Sequence, residues 1–337
     1  MRKSRGSGAV ATTVLKRSGL AITTVGLGTA SIGGLYRACT DEDAAAVFEA
    51  AHEAGIRYFD TAPFYGFGRA EQRLGAFLSS LGDTPDCVVS TKVGRVLEPV
   101  DPADIPDHGY VDPLPNAPHF DYSRDGILRS YESSLARLNG RRPDILYVHD
   151  IGTYTHGAEN ARHYRDLMEG GLAALAELKA AGDVKAIGLG VNEVAICEKV
   201  LADADIDIIL LAGRYSLLDR SAEPRLLGLC REREVAIVAG GVFNSGILAT
   251  GARPGANFDY GPASPEILDR VERLQAVCRA EGVDLPVAAM QFPGRCDVVA
   301  STLIGTAELP LLAKNLAALA TPVPPTLWPA ADAVARG

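Results

Sequence analysis

Four polar residues of complementary type, Asp60, Tyr65, Lys92 and His149, stand at or just beyond the ends of three consecutive apolar runs. A free tyrosine titrates near ~10 and carries protons poorly at neutral pH. A lysine ammonium beside it stabilises the phenolate, an aspartate holds and balances the lysine, and a histidine can orient a carbonyl or hydroxyl on the same proton path. The set suits proton transfer at a carbon–oxygen bond. The first two members lie in Arg57-Tyr-Phe-Asp-Thr-Ala-Pro-Phe-Tyr-Gly-Phe-Gly-Arg-Ala-Glu71, where Pro63 and Gly66 break the chain after Asp60 and Thr61. Taken singly, each residue has an ordinary explanation: a capping Asp, a loop Tyr, a satisfied strand-end His. Four together are harder to explain so.

Strand ends meet only if the fold brings them to one place. Short runs rich in Val and Ile predict strands at 25–28, 57–60, 87–91, 145–148, 184–189, 206–211, 235–239 and 298–304. Between them, apolar residues at three- and four-residue spacing predict helices at 41–54, 70–80, 123–138, 171–181, 193–202, 223–233, 265–281 and 309–318. Thr40 or Asp41 and Ser123 suit helix starts, and Gly55 and Gly182 suit helix stops just before strands. Eight strand-then-helix units without a composition break predict an α/β fold, a (β/α)8 TIM barrel formed as a single domain by residues 14–337, behind a flexible N-terminal tail at 1–13. An open doubly wound sheet is the alternative. In a barrel the four residues converge on the C-terminal mouth, and the long loops 93–122 and 150–164 lie over it.

Composition narrows the class. The 337 residues are 47% hydrophobic and 22% charged, with a net charge of -9 that speaks against a nucleic-acid surface. The six cysteines, Cys39, Cys87, Cys197, Cys230, Cys278 and Cys296, form no C-x-x-C pair and adjoin no His at metal-ligand spacing, so no metal site and a reduced, cytoplasmic protein are expected. No run is long enough for a signal peptide or a membrane span. His108, His119, His156 and His163 read as solvated loop residues.

Asp60-Thr-Ala-Pro-Phe-Tyr65-Gly, followed by Lys92 and His149, resembles the signature of the aldo-keto reductases, and the likeness runs from about residue 14 to 319, including Gly26-Leu-Gly-Thr29. The resemblance implies a barrel that binds an extended nicotinamide cofactor without a Rossmann domain. It makes Tyr65 the general acid or base, Lys92 and Asp60 its tuners, and His149 the substrate orienter. It also implies that Tyr215 stacks on the nicotinamide, and that Gly241, Val242, Phe243 and Asn244 wrap the pyrophosphate through backbone N–H groups, with Asn244 or Ser245 assisting. Asn192 is displaced by one from the carboxamide-holding position, and alternation along a strand could turn it away. Gly305, Ala307, Glu308 and Asn315 fall at the adenosine end. Where NADP-dependent relatives place a cation, this chain has Ala307 and then Glu308, which favours NAD, with NADP as the alternative.

Within the family the chain is similar to bacterial dehydrogenases that oxidise C1 of L-fucose and related D-threo-aldoses, through Gly-Thr-Ala-Ser-Ile-Gly-Gly34, Asp121-Tyr-Ser123 and Tyr147-Val-His-Asp150. That likeness implies oxidation of a cyclic hemiacetal sugar to its lactone. Pyridoxal 4-dehydrogenases share the same features, and their substrate is also a cyclic hemiacetal. An NADPH-dependent aldehyde reductase and a non-catalytic, cofactor-binding regulatory subunit are the other readings. The expected partner is a small-molecule substrate, with no nucleic acid and no membrane.

Overall fold

The computed structural model describes residues 10–82 and 86–337. Eight parallel strands close into a barrel in chain order: β1 (Val25–Gly28), β2 (Tyr58–Asp60), β3 (Val88–Val93), β4 (Ile145–His149), β5 (Ala186–Val191), β6 (Ile208–Ala212), β7 (Ala236–Gly240) and β8 (Val299–Gly305). All eight expected strands are present, with boundaries displaced by a residue or two, and the closed ring replaces the open-sheet alternative. Outside the ring lie α1 (Asp41–Glu53), α2 (Arg69–Ser80), α3 (Arg124–Arg137), α4 (Leu172–Ala180), α5 (Val194–Asp203), α6 (Leu226–Glu232), α7 (Leu285–Gln291) and α8 (Leu309–Ala320). Two further helices, Pro265–Ala280 and Leu327–Arg336, pack on each other. The 265–281 periodicity therefore marks an added helix, and α7 is the shorter Leu285–Gln291 neighbouring α8.

The alternation of side chains along each strand builds two cores. Phe59, Val89, Leu146, Val148, Leu189 and Ile209 face outward and join the helices in one large cluster. Tyr58, Ile145, Tyr147, Ala186, Ile208 and Val238 face inward and fill the barrel. Helix ends follow local chemistry. Thr40 caps α1 with a reciprocal bond from Asp43, and Ser123 accepts from Gly126 N–H at the start of α3.

Two hairpins depart from expectation. Residues 1–9 of the expected flexible tail lie outside the described residues. Within the same range Thr12–Val14 is a strand, paired antiparallel with Ala21–Thr23, so ordered structure starts before residue 14. Leu15, Leu20 and Ile22 of this hairpin are buried in the barrel-interior cluster and give it a floor, the physical reason for its order. Loop 93–122, expected as irregular chain, holds a second hairpin in which Arg95–Pro99 pairs with Asn116–Phe120, Arg95 opposite Phe120. It forms a lid over the mouth.

Candidate active site

Strand pairing sets the site. Gly28 lies opposite Asp60, Asp60 opposite Ser90, Lys92 opposite Tyr147, and His149 opposite Gly190. Asp60, Ser90, Lys92 and His149 share the inward phase, so their side chains converge at the top of the barrel. Lys92 Nζ donates to Asp60 Oδ2 and to the Thr61 carbonyl, both at 2.8 Å. The pair is almost wholly buried, at 2% and 3% side-chain exposure. Asp60 Oδ1 accepts from Ser90 Oγ at 2.6 Å, and below it Ser90, Tyr58 and Tyr147 join hydroxyls at 3.1 and 3.0 Å. Burial pushes the Asp60 carboxyl above its usual range, with the Lys92 ammonium working against that shift.

Tyr65 enters from a tight turn after β2. A Cβ on Gly66 would come within 2.3 Å of the Gly33 carbonyl, and Gly66 holds a left-handed φ of 62°. The turn can press against the β1 loop this closely only with glycine there. The Lys92 ammonium lies 4.6 Å from the Tyr65 ring centroid, and the Tyr65 and His149 rings meet edge to face at 6.2 Å. Gly190 gives Lys92 room to cross the barrel, since a Cβ there would stand 3.3 Å from Lys92 Cε. The structure thus brings all four expected residues together.

Their electrostatics differ from the sequence argument in one respect. Lys92 was expected to lower the proton affinity of Tyr65. Burial and the carboxylates of Asp60 and Asp150 instead hold the Tyr65 phenol well above its ordinary value. The cause is geometric: the Lys92 charge is spent on Asp60 at 2.8 Å. His149 is held well below its ordinary value by burial and by the cations Arg95 and Lys92, and is therefore neutral.

Tyr65, Lys92 and His149 line a cavity of about 280 Å³ together with Phe64, His108, Tyr110, Asp150 and Asn192, and Asp60 is joined to it through Lys92. A second cavity, of about 610 Å³, shares Leu35, Tyr36, Ala212 and Tyr260 with it and is walled by Gly213, Gly241, Val242, Phe243, Asn244 and Gly305. A third, of about 510 Å³, includes Asn315, Lys314 and Arg279. The second and third flank the turn at Ile247–Thr250, an elongated path that fits an extended dinucleotide. At Gly241 a Cβ would meet Gly213 N at 3.0 Å and narrow the cleft.

Several expected contacts are placed differently. Tyr215 lines none of these cavities. Gly213 turns the chain with φ 70° after β6, Arg214 faces the cleft, and Tyr215 is buried 5.0 Å from the ring of Phe292. Its position gives no support to stacking on a nicotinamide. Asn192 does line the substrate-side cavity, because it continues the inward phase of Gly188 and Gly190. The Asn244 side chain is committed to the loop, accepting from Ser216 at 2.5 Å and donating to the Gly213 carbonyl at 2.9 Å. Its backbone N–H and that of Gly246 are spent on turn bonds to Gly241 and Phe243. Ala307 packs on the core and Glu308 is ion-paired with Arg37, so neither lines the cleft.

The loop histidines also need correction. His108 lines the cavity, and His156 and His163 stack at 4.2 Å in a cluster with Phe120 and Tyr122. Of the four, His119 on the lid's outer strand stays nearest the solvated reading. The signal missed was the run of aromatic residues between 108 and 122, which needed the lid hairpin to become a wall. Among the described residues, His52, Asp86 and Cys87 could place ligand atoms near one another, but Arg57 donates to the same Asp86 carboxylate at 2.9 Å, and the cluster lies at the start of β3, away from the mouth. The six cysteines are unpaired, and no described helix is long and apolar enough to cross a membrane.

Comparison with known proteins agrees with this geometry. Residues 24–336 match the model of the aldo/keto reductase family. A pyridoxal 4-dehydrogenase of Microbacterium luteolum is 44% identical over 93% of this chain and 94% of its own length. A D-threo-aldose 1-dehydrogenase of Pseudomonas sp is 40% identical over 92% and 93%. The aldo-keto reductase AKR11C1 from Bacillus halodurans shares the fold, with a TM-score of 0.74 at 24% identity over 96% and 95% of the two chains.

Proposed function

The chain belongs to the aldo/keto reductase family and is an NAD(P)-dependent oxidoreductase, and from that premise we propose that it oxidises a cyclic hemiacetal to its lactone with NAD. The observation that carries the reading is the convergence of Tyr65, Lys92 and His149 on one small cavity beside the glycine-walled cleft, with Asp60 holding Lys92 in place. Both curated relatives named above act, by their names, on compounds that close into hemiacetal rings.

A bound nicotinamide would supply a hydride acceptor for the carbon bearing the reacting hydroxyl. Gly213, Gly241, Val242, Phe243 and Gly305 would hold its nicotinamide and phosphate portions, and Asn315 its adenosine end. Tyr65 takes the hydroxyl proton as that carbon becomes a lactone carbonyl. Neutral His149 orients the same oxygen, and Asp60 fixes Lys92 with its ammonium 4.6 Å from the Tyr65 ring centroid. Atoms balance as hemiacetal and oxidised cofactor giving lactone, reduced cofactor and one proton. NAD is favoured because Ala307, standing where NADP-dependent relatives place a cation, offers no charge to a 2′-phosphate, while Glu308 is already paired with Arg37.

An aldose of the D-threo type is the first substrate reading. The second, pyridoxal, is favoured by the cavity walls: Phe64, His108 and Tyr110 present rings that suit a flat pyridine. Steady-state kinetics with L-fucose, D-arabinose, L-galactose and pyridoxal, each with NAD and NADP, test the proposal. Oxidation of at least one of them to a lactone is expected. Reduction of open-chain aldehydes with no oxidation of any of the four would overturn it.

A further inference from the structure

Arg95, the first residue of the lid hairpin and three beyond Lys92, has no part in the proton path above. Its side chain is 11% exposed and ion-paired with Asp150. The guanidinium lies over the ring of Phe64 at 3.9 Å and that of Phe120 at 4.8 Å. Asp150 directly follows His149, and the oxygen that meets Arg95 is 3.5 Å from His149 Nε2. Asp150 adopts a left-handed φ of 50°, and its N–H donates to the Gly190 carbonyl at 2.9 Å. From the other end of the lid, Tyr122 Oη donates to the His149 carbonyl at 2.7 Å. Lid and catalytic strand are thus joined at one residue pair, through a charge buried among aromatic rings and a backbone conformation unusual for a residue with a side chain.

We propose that Arg95 and Asp150 are positioning residues that fix the ring of His149 against Tyr65 and Lys92, with Arg95 screening the Asp150 carboxylate from the imidazole. The inference rests on the reading of His149 as the substrate-orienting group. A bare carboxylate 3.5 Å from Nε2 favours the imidazolium, and an ion-paired one does so far less. The ionisable groups around His149 are Lys92 from β3, Tyr65 from the turn after β2, Arg95 from the lid and Asp150 on its own strand end. His108 lies beyond the Phe64 ring, and His156 is 2.9 Å from the Tyr122 hydroxyl. Of these, Arg95 and Lys92 act with burial to keep the ring neutral. Losing Arg95 removes one of those cations and frees the one carboxylate in contact with the ring. Both changes act in the same direction.

The test follows the ring resonances of the six histidines with pH in the free protein, His149 being assigned from the signal lost in His149→Asn. In the parent, His149 stays neutral well below the range in which an ordinary histidine gains its proton, because it is buried beside Arg95 and Lys92. In Arg95→Met it gains its proton at least ~1 pH unit higher. In Arg95→Met with Asp150→Asn most of the upward shift disappears, leaving the part due to the lost cation. The low-pH limb of kcat/KM for oxidation moves up with the ring in Arg95→Met, while the cofactor Kd is unchanged. An unmoved His149 in Arg95→Met, or an equal shift in the double variant, overturns the proposal. If Arg95→Met does not fold, Arg95→Lys carries the test. It keeps the charge and loses the planar fork, so the ring should titrate as in the parent while substrate KM rises, and an upward shift there is equally fatal. The resonance readout needs no turnover. Absence of hemiacetal oxidation would sink the functional reading alone, and an unmoved ring in an active enzyme would sink this one alone.

Discussion

Replacing Tyr65 by Phe removes one oxygen from the centre of the site and little else. The Lys92 ammonium keeps a ring 4.6 Å away, and the edge-to-face contact with His149 survives, so fold and cofactor affinity should be unchanged. The catalytic loss is large because nothing nearby can take over. Asp60 is committed to Lys92 and Ser90, and His149 binds protons too weakly to serve as base. General acid–base catalysis contributes ~10²–10⁴-fold, about 3–5 kcal/mol, and without a substitute base the upper half of that range is expected. The pH profile separates this role from a packing role. The Tyr65 phenol is held well above its ordinary value, so its deprotonated, proton-accepting form grows about tenfold per pH unit through the neutral and mildly alkaline range. For the parent, log kcat/KM for oxidation should therefore climb with a slope near one from about pH 6 to 9, without a plateau attributable to this group. Tyr65→Phe should lose the slope as well as the rate. Initial rates of NADH formation over that range, with cofactor affinity measured in parallel, decide the matter. A variant within a few-fold of the parent, or one that keeps the slope, would refute the assignment.

Other perturbations have equally definite outcomes. Ala307→Arg with Glu308→Ser introduces one cation and releases Arg37 from its ion pair, so the ratio of kcat/KM for NADP to that for NAD should rise at least ~10-fold; a parent that already strongly prefers NADP would contradict the premise. Glu71 is fully buried, accepting from Thr91 at 2.6 Å and Arg137 at 2.5 Å, so Glu71→Ala should lower unfolding free energy by about 3–5 kcal/mol in a urea titration. A Cβ on Gly188 would fall 1.7 Å from the Ile208 carbonyl oxygen, and Gly188→Ala should open the β5–β6 junction and leave little folded protein by circular dichroism. Shortening the lid tip between residues 101 and 113 should raise substrate KM and leave the cofactor Kd unchanged, since His108 and Tyr110 line the substrate-side cavity and not the cleft.

The barrel was readable because its strands are continuous apolar runs and its helices carry a separate period, and strand ends that carry Asp60, Lys92 and His149 locate the mouth without any tertiary information. The cofactor side was less readable. Whether Tyr215 or Arg214 faces the cleft depends on a single left-handed turn at Gly213, and no periodicity reports a turn of that kind. Asn192 was doubtful by alignment yet follows from alternation, once Gly188 and Gly190 are seen to face inward. His108, Tyr110 and Arg95 were hidden because loop 93–122 has the Pro, Asp and Gly content of irregular chain, while its structure comes from cross-strand pairing between residues about twenty apart. The sign of the shift at Tyr65 was missed because the sequence names the neighbours of a phenol but not which of them are already paired.

The N-terminal hairpin has a kinetic meaning. Leu15, Leu20 and Ile22 close the barrel from below against a filled interior, so among the described residues the reaction centre opens toward the mouth. On the proposed reading, cofactor and substrate meet at the rim shared by Leu35, Tyr36, Ala212 and Tyr260. Traffic over a shared rim is sequential. A dinucleotide seated along the cleft is overlain by whatever occupies the smaller cavity, so arrival should be ordered with the cofactor first, and a lingering lactone should hold the reduced cofactor in place behind it.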